Sequence, residues 1–286
     1  MSQTTHDDHD DFGGIERDLP KLIDRRRALW LVGGGLGAVA LAGCGSSIAK
    51  TASSTTSMLA NSATTSTLGA GSDVASSGNC TKIPNETAGP YPGDGTNGPD
   101  VLSQSGVVRK DITTSFGSMS GTAQGIPLTM KYKVLNIANG CTPYAGAAMY
   151  VWHCTREGGY SLYSAGIKDQ NFLRGVQAAD ADGWVTFQTI FPGCYDGRWP
   201  HVHFEVYPAL EKASSSKNKI ATSQLALPQD VCEKVYATAG YESSKRNLAA
   251  TSLQRDMVFR DGWTTQLGTV TGDVASGFTV TLNVPV

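Results

Sequence analysis

Residues 191–207 read FPGCYDGRWPHVHFEVY. The last seven, HVHFEVY, alternate strictly and predict a β-strand. Neighbours two apart on a strand point to the same face. His201, His203, Glu205 and Tyr207 therefore share one face, and Val202, Phe204 and Val206 share the other. The second set is an ordinary core face. The first places two imidazoles side by side, within reach of one metal ion, with Tyr195 and Arg198 in the turn just before them. A His-x-His pair alone fits two neighbouring surface histidines equally well.

Outward from this strand, most segments also read as β. Leu128–Ile137 (LTMKYKVLNI) alternates, and Ala147–Cys154 (AAMYVWHC) is a continuous apolar run suited to a strand buried on both faces. Gly183–Phe191 (GWVTFQTIF) follows the turn sequence DADG, and Gly277–Val286 (GFTVTLNVPV) closes the chain. One helix is predicted, within Pro228–Gly240 (PQDVCEKVYATAG), with proline at its start and glycine at its end. Many short strands separated by Gly-rich turns predict an all-β sandwich with few short helices.

The front of the chain reads differently. Residues 1–24 are polar and acidic, and Arg25–Cys44 reads RRRALWLVGGGLGAVALAGC. Its apolar run of about 15 residues is short for a membrane span and ends in small residues, as a secretory signal does. The arginines resemble a twin-arginine export signal, and Leu41–Cys44 (LAGC) resembles the lipobox of bacterial lipoproteins, in which the cysteine becomes a lipidated N-terminus. Residues 1–44 are thus expected to be an export signal, with Cys44 as the lipid attachment point of an envelope lipoprotein. A single uncleaved anchor helix is the alternative, and it too leaves the rest of the chain outside the cytoplasmic membrane. Ser, Thr, Ala and Gly fill 26 of the 35 positions in residues 45–79, which predicts a flexible tether. Residues 80–286 are long enough for one core.

Residues 1–44 hold five basic and seven acidic side chains, leaving 18 of each in the remainder. A neutral mature protein gives no electrostatic reason to expect nucleic-acid binding. Besides Cys44 there are Cys80, Cys141, Cys154, Cys194 and Cys232. Five is odd, so at most two disulfides are expected and one thiol stays free. No Cys-x-x-Cys occurs, which argues against a zinc knuckle.

Of five histidines, His6 and His9 fall in the signal, leaving His153, His201 and His203. A copper site built on imidazoles would need more of them. Zinc would need a third nitrogen or a carboxylate, with His153 and Glu205 the nearest in sequence. Ferric iron also accepts phenolate oxygen, and tyrosines are plentiful.

Several motifs occur in order: TAGPYP (Thr87–Pro92), GCTPYAGAAMYVWHCTREGGYSLYS (Gly140–Ser164), NFLRGVQAADADGWVTFQTIFPGCYDGRWPHVHF (Asn171–Phe204) and TSQLALP (Thr222–Pro228). Together they resemble the intradiol ring-cleavage dioxygenases, non-haem Fe(III) enzymes that open catechols, over about residues 80–286. The resemblance implies a β-sandwich holding iron between its layers. It implies Tyr160, Tyr195, His201 and His203 as ligands to Fe(III), with O2 and a catechol-type aromatic as substrates and a muconate-type dicarboxylate as product. Tyr195 matches the family's displaceable ligand, which takes a substrate proton. Arg198 matches an arginine that stabilises negative charge on the substrate, and Gln224 a polar residue near the O2 side. Tyr91 is a candidate for lining the substrate pocket. Tyr163 is a rival to Tyr160, which is favoured because Gly158 and Gly159 allow a close approach. His153 is expected to be a hydrogen-bonded structural residue. Cys154 and Cys194 flank the two tyrosine loops, where a disulfide would brace the site, but the sequence leaves the pairing of the cysteines open. A surface Arg198–Asp196 pair is the structural alternative for Arg198. A binding module without chemistry is the alternative for the whole domain. The choice among catechols and the oligomeric state are left open.

Overall fold

The computed structural model describes residues 80–286. The expected signal (1–44), the lipidation site Cys44 and the tether (45–79) lie outside the described residues. Nine strands follow in order: β1 (Pro127–Asn136), β2 (Thr142–Pro143), β3 (Ala148–Trp152), β4 (Arg174–Ala178), β5 (Trp184–Ile190), β6 (His201–Tyr207), β7 (Ala221–Ala226), β8 (Thr269–Asp273) and β9 (Gly277–Pro285). Two helices, α1 (Gln229–Tyr236) and α2 (Glu242–Ala250), lie between β7 and β8.

The strands form two sheets. In one, β1 is flanked by β5 and β9, β2 pairs with the C-terminal end of β1, and β8 lies beyond β9. The other runs β4-β3-β6-β7 and is antiparallel throughout. Alternation in β1 puts Leu128, Met130, Tyr132 and Val134 inward, where they join Val185 and Phe187 of β5 and Phe278, Val280 and Leu282 of β9. Facing them are Met149 and Val151 of β3 and Val202, Phe204 and Val206 of β6, with the Tyr132 and Phe204 rings 5.5 Å apart. This inter-sheet layer is the main core, and its burial is the dominant stabilising term.

The predicted strands are present: HVHFEVY has the expected ends, and the others differ by one or two residues at an end. Ile137 leaves the first strand and opens a 3-10 turn that Gly140 ends in the left-handed region, φ 66°. The predicted helix stops at Tyr236, and Pro228 is its N-cap rather than its first residue. α2 was not anticipated: of its nine residues only Ser244 and Leu248 are buried, so it carries little apolar periodicity.

Every residue of β6 is buried, so its polar face is covered too. That face lies opposite the inter-sheet core. The expectation that the site sits between the layers is therefore corrected: it lies on the outer face of the four-stranded sheet, under loops. A second apolar cluster forms there from Tyr150, Trp152, Tyr160, Val101, Leu102 and Tyr207. Arg174 ties the loops down. It is 1% exposed, and its guanidinium donates to the Pro92, Tyr91 and Ser161 carbonyls (2.8, 3.0 and 2.9 Å) and to Ser161 Oγ (3.0 Å). Buried polar groups must find partners, and this arginine uses backbone carbonyls in place of a carboxylate.

One disulfide joins Cys80 to Cys141. Cys154, Cys194 and Cys232 are free and buried, so no Cys154–Cys194 bridge braces the site, and three thiols, not one, remain among the described residues. Among the described residues no helix is long and apolar enough to cross a membrane.

Candidate metal centre

Strand register builds the floor of the site. His203 of β6 pairs with Trp152 of β3 and Gln224 of β7, so the three side chains stand in a row on the outer face. The Trp152 indole stacks on the His203 imidazole, centroids 4.9 Å apart and rings 4° from parallel. Gly89 lies over the same imidazole with φ +67°, and a Cβ there would come within 3.3 Å of His203 Cε1. His201 is turned by its own backbone: Nδ1 donates to the Trp199 carbonyl (2.5 Å), which leaves Nε2 as a lone-pair acceptor.

Four groups converge on that atom. His203 Nε2 is 3.0 Å from His201 Nε2, Tyr195 Oη 3.3 Å, Tyr160 Oη 3.5 Å and Arg198 Nη1 3.5 Å. One lone pair cannot satisfy four donors, so hydrogen bonding alone does not account for the cluster. The His203 Nδ1 atom is buried and has no partner. Donors about 2.0–2.2 Å from a shared cation stand about 3.0–3.4 Å from one another. The spacing of His203, Tyr195 and Tyr160 about His201 Nε2 thus suits a single ion. Tyr163 is elsewhere, donating to the Asn97 carbonyl (3.1 Å) and accepting from Gly93 N–H (2.9 Å).

The electrostatics agree. Burial holds both imidazoles neutral: His201 and His203 are pushed well below the usual histidine range, with Arg198 adding to the first and His201 to the second. Neutral imidazole is the ligating form. Burial pushes the Tyr160 phenol well above its usual range, with Tyr195 adding to it. A bound cation reverses that balance, because it favours the phenolate it contacts.

Arg198 is 3% exposed, and each guanidinium nitrogen has a direction. Nε bonds Asp256 Oδ2 (2.9 Å), Nη2 bonds Gln224 Oε1 (2.7 Å), and Nη1 faces Tyr195 Oη and His201 Nε2 (both 3.5 Å). Burial alone would lower its pKa, but Tyr195 and Asp256 outweigh it and the net shift is upward. The surface pair with Asp196 is not what forms: the partner is Asp256, 0% exposed, which also accepts the Trp199, Val258 and Phe259 N–H groups. Gln224 is held at its other end, Nε2 donating to the Thr87 carbonyl (2.9 Å). The Tyr91 ring centroid is 4.9 Å from that of Tyr160, at the edge of the cluster.

Two other sequence candidates are placed away from the ion's position. Glu205 shares the strand face, but its carboxylate accepts from Lys219 Nζ and Tyr207 Oη, both at 2.6 Å. His153 bonds the Cys154 carbonyl (2.8 Å) and Thr189 Oγ1 (2.7 Å), as a structural histidine does.

A β-sandwich with two tyrosines, two histidines and one arginine facing a common point defines a class of candidate mononuclear metal proteins. A dioxygenase family model matches residues 96–231, which include all four of these tyrosines and histidines. The chain is 42% identical over 55 residues to a chlorocatechol 1,2-dioxygenase of Rhodococcus opacus, a match covering 19% of this chain and 21% of that protein. The fold is similar to the intradiol ring-cleavage dioxygenase of Tetranychus urticae, with a TM-score of 0.57 and 22% identity over 72% of this chain and 94% of that one. The chain thus shares a dioxygenase family signature over residues 96–231 and the sandwich fold of an intradiol ring-cleavage dioxygenase.

Proposed function

We propose that this protein binds Fe(III) through Tyr160, Tyr195, His201 and His203 and uses O2 to open a catechol-type ring between its two hydroxylated carbons, giving a muconate-type dicarboxylate. The observation that carries the proposal is the convergence of His203 Nε2, Tyr195 Oη and Tyr160 Oη within 3.5 Å of His201 Nε2, beside a buried arginine. Two phenolate oxygens are hard donors and two neutral imidazoles borderline ones that iron accepts, a set suited to an oxidised iron. Ferric iron held there would act as a Lewis acid on the bound diol and make its ring reactive toward O2.

The chain's own groups have distinct tasks. The Tyr195 phenolate oxygen, on the half-buried side chain of the four, takes a proton from an incoming diol hydroxyl and swings away. Tyr160, 1% exposed and enclosed by the second apolar cluster, stays in place. Arg198 Nη1 presents a fixed positive charge where negative charge develops on the substrate oxygens and ring, and Asp256 and Gln224 keep it aimed there. Tyr91 supplies an aromatic wall for the substrate ring. Loop cover over the outer face excludes water, which strengthens each of these interactions.

Export as a Cys44-anchored envelope lipoprotein belongs to the same reading and rests on the sequence of residues 25–44. A Cys80–Cys141 bond suits an oxidising compartment.

The test is a visible spectrum of the protein loaded with ferric iron, before and after catechol is added under argon. Tyrosinate bound to Fe(III) gives a red charge-transfer band, which catechol should shift. Tyr160→Phe and His203→Ala should each lower iron content. A colourless protein without iron would sink the proposal and leave a binding module as the better reading.

A further inference from the structure

Tyr160 and Tyr195 sit on separate loops, and a spacing suited to one ion requires the loops to be locked together. The lock is on α2. Ser244 is fully buried, and its hydroxyl works in both directions. It accepts the Cys194 N–H (2.9 Å), next to Tyr195, and donates to the Arg156 carbonyl (2.9 Å), four residues before Tyr160. One turn on, Asn247 Nδ2 donates to the Cys194 carbonyl (2.8 Å). Both backbone groups of Cys194 are thus held by one helix. The loops also meet directly, Gly193 N–H donating to the Thr155 carbonyl (3.0 Å). A Cβ on Gly193 would stand 2.5 Å from the Arg156 carbonyl oxygen and 2.8 Å from Ser244 Oγ.

We infer that Ser244 and Asn247 are positioning residues for the two tyrosines: α2 fixes the main chain beneath Tyr195, so that displacement of its phenol is a side-chain rotation and the loop does not move. The inference rests on the proposed two-tyrosine, two-histidine centre. It predicts that loosening the clamp alters the metal site more than it alters the fold.

The test compares full-length wild type with Ser244→Ala, Asn247→Ala and, as a control, Leu248→Ala. Leu248 is on the same helix but belongs to the main hydrophobic cluster and makes no polar contact of the clamp. Each protein is titrated with ferric iron, its tyrosinate band recorded and its thermal midpoint measured. Ser244→Ala and Asn247→Ala should weaken iron affinity about tenfold and displace or weaken the band, at the low end of what outer partners of metal ligands contribute. Leu248→Ala should lower the midpoint at least as much and keep the wild-type band. Asn247 is half-buried, so its variant carries the test if Ser244→Ala fails to fold. Wild-type band and affinity in the clamp variants would overturn the inference. So would band changes that merely track stability across all three. A wild type that takes up iron without a tyrosinate band would refute the centre itself, and with it the clamp's role there.

Discussion

The Arg198–Asp256 pair offers a test that needs no metal. Arg198 is 3% exposed and Asp256 0%, with Nε and Oδ2 2.9 Å apart. Removing one partner of a buried pair costs about 3–5 kcal/mol, mostly because the other charge is left uncompensated. The two ends are not equally protected. Without Arg198, the Asp256 carboxylate still accepts N–H groups from Trp199, Val258 and Phe259. Without the carboxylate, the guanidinium keeps only neutral acceptors, chiefly Gln224 Oε1. Asp256→Asn also turns an amide N–H toward a donor it must face. Asp256→Asn should therefore cost about 4 kcal/mol and Arg198→Met about 2 kcal/mol. The double variant should cost about 2 kcal/mol less than the sum, since neither charge is then stranded. With a urea slope of about 2 kcal/mol/M, the midpoints should fall by about 2 M and about 1 M for the singles. Equilibrium urea unfolding followed by tryptophan fluorescence reads all four proteins. Equal costs, a reversed order or strict additivity would refute the asymmetry and the claim that Asp256 chiefly compensates the buried arginine.

Other outcomes follow from the same structure. Burial, partly opposed by the Cys154 carbonyl, pushes His153 down to about 4, so the unfolded chain takes its proton first as pH falls. The stability tied to this group is complete above about pH 6.5 and falls by about 3 kcal/mol as pH drops to about 4; His153→Gln should flatten that part of the stability–pH curve, and an unchanged slope would count against it. Opening the Cys80–Cys141 bond frees a sequence separation of 61 residues, and the Cys80→Ser, Cys141→Ser protein should lose up to about 4 kcal/mol in denaturant unfolding on chain-entropy grounds. Gly158 has φ +96°, and a Cβ there would sit 3.0 Å from Tyr195 Cβ. Gly158→Ala should cost about 1–3 kcal/mol and disturb the tyrosinate band of the iron-loaded protein, whereas Gly146→Ala, at φ +80° with open space around it, should carry only the backbone cost.

What could be read from the sequence follows contact range. His201 and His203 were legible because a strand's period of two is a local rule. Their face was legible as well, but not which side of the sandwich it occupies, since both faces of β6 end up buried. Tyr160 and Tyr195 emerged only from the order of motifs, because no local rule brings two loops to one point. Asp256 gave no signal: it meets Arg198 across 58 residues and lies in a segment without periodicity. Ser244 was hidden for the same reason, joining Cys194 across 50 residues and Arg156 across 88, on a helix too polar to stand out. The cysteines show the limit of counting. Parity bounds how many bridges form, but pairing Cys80 with Cys141 and leaving Cys154 and Cys194 apart is decided by three-dimensional placement.

The outer face of the four-stranded sheet combines two demands that usually conflict. A reactive site needs polar groups, and a dry one needs them buried. Here the covering loops are held by polar contacts of their own: Arg174 on the carbonyls of Tyr91, Pro92 and Ser161, and Lys219 on Glu205 and Asp94 (2.6 and 3.4 Å). None of these groups is among the four candidate ligands or the arginine beside them. The sheet face therefore divides along β6, with His201 and His203 at the end of the candidate metal centre and Glu205 and Tyr207 at the end that secures the cover. Perturbing the second end should thus affect the first through access of water and substrate, rather than through the donor set. Lys219→Met, which leaves Asp94 and Glu205 without their shared cation, should accordingly change substrate affinity while the iron-loaded protein keeps its visible band. Loss of the band in that variant would mean that the cover and the centre are one cooperative unit.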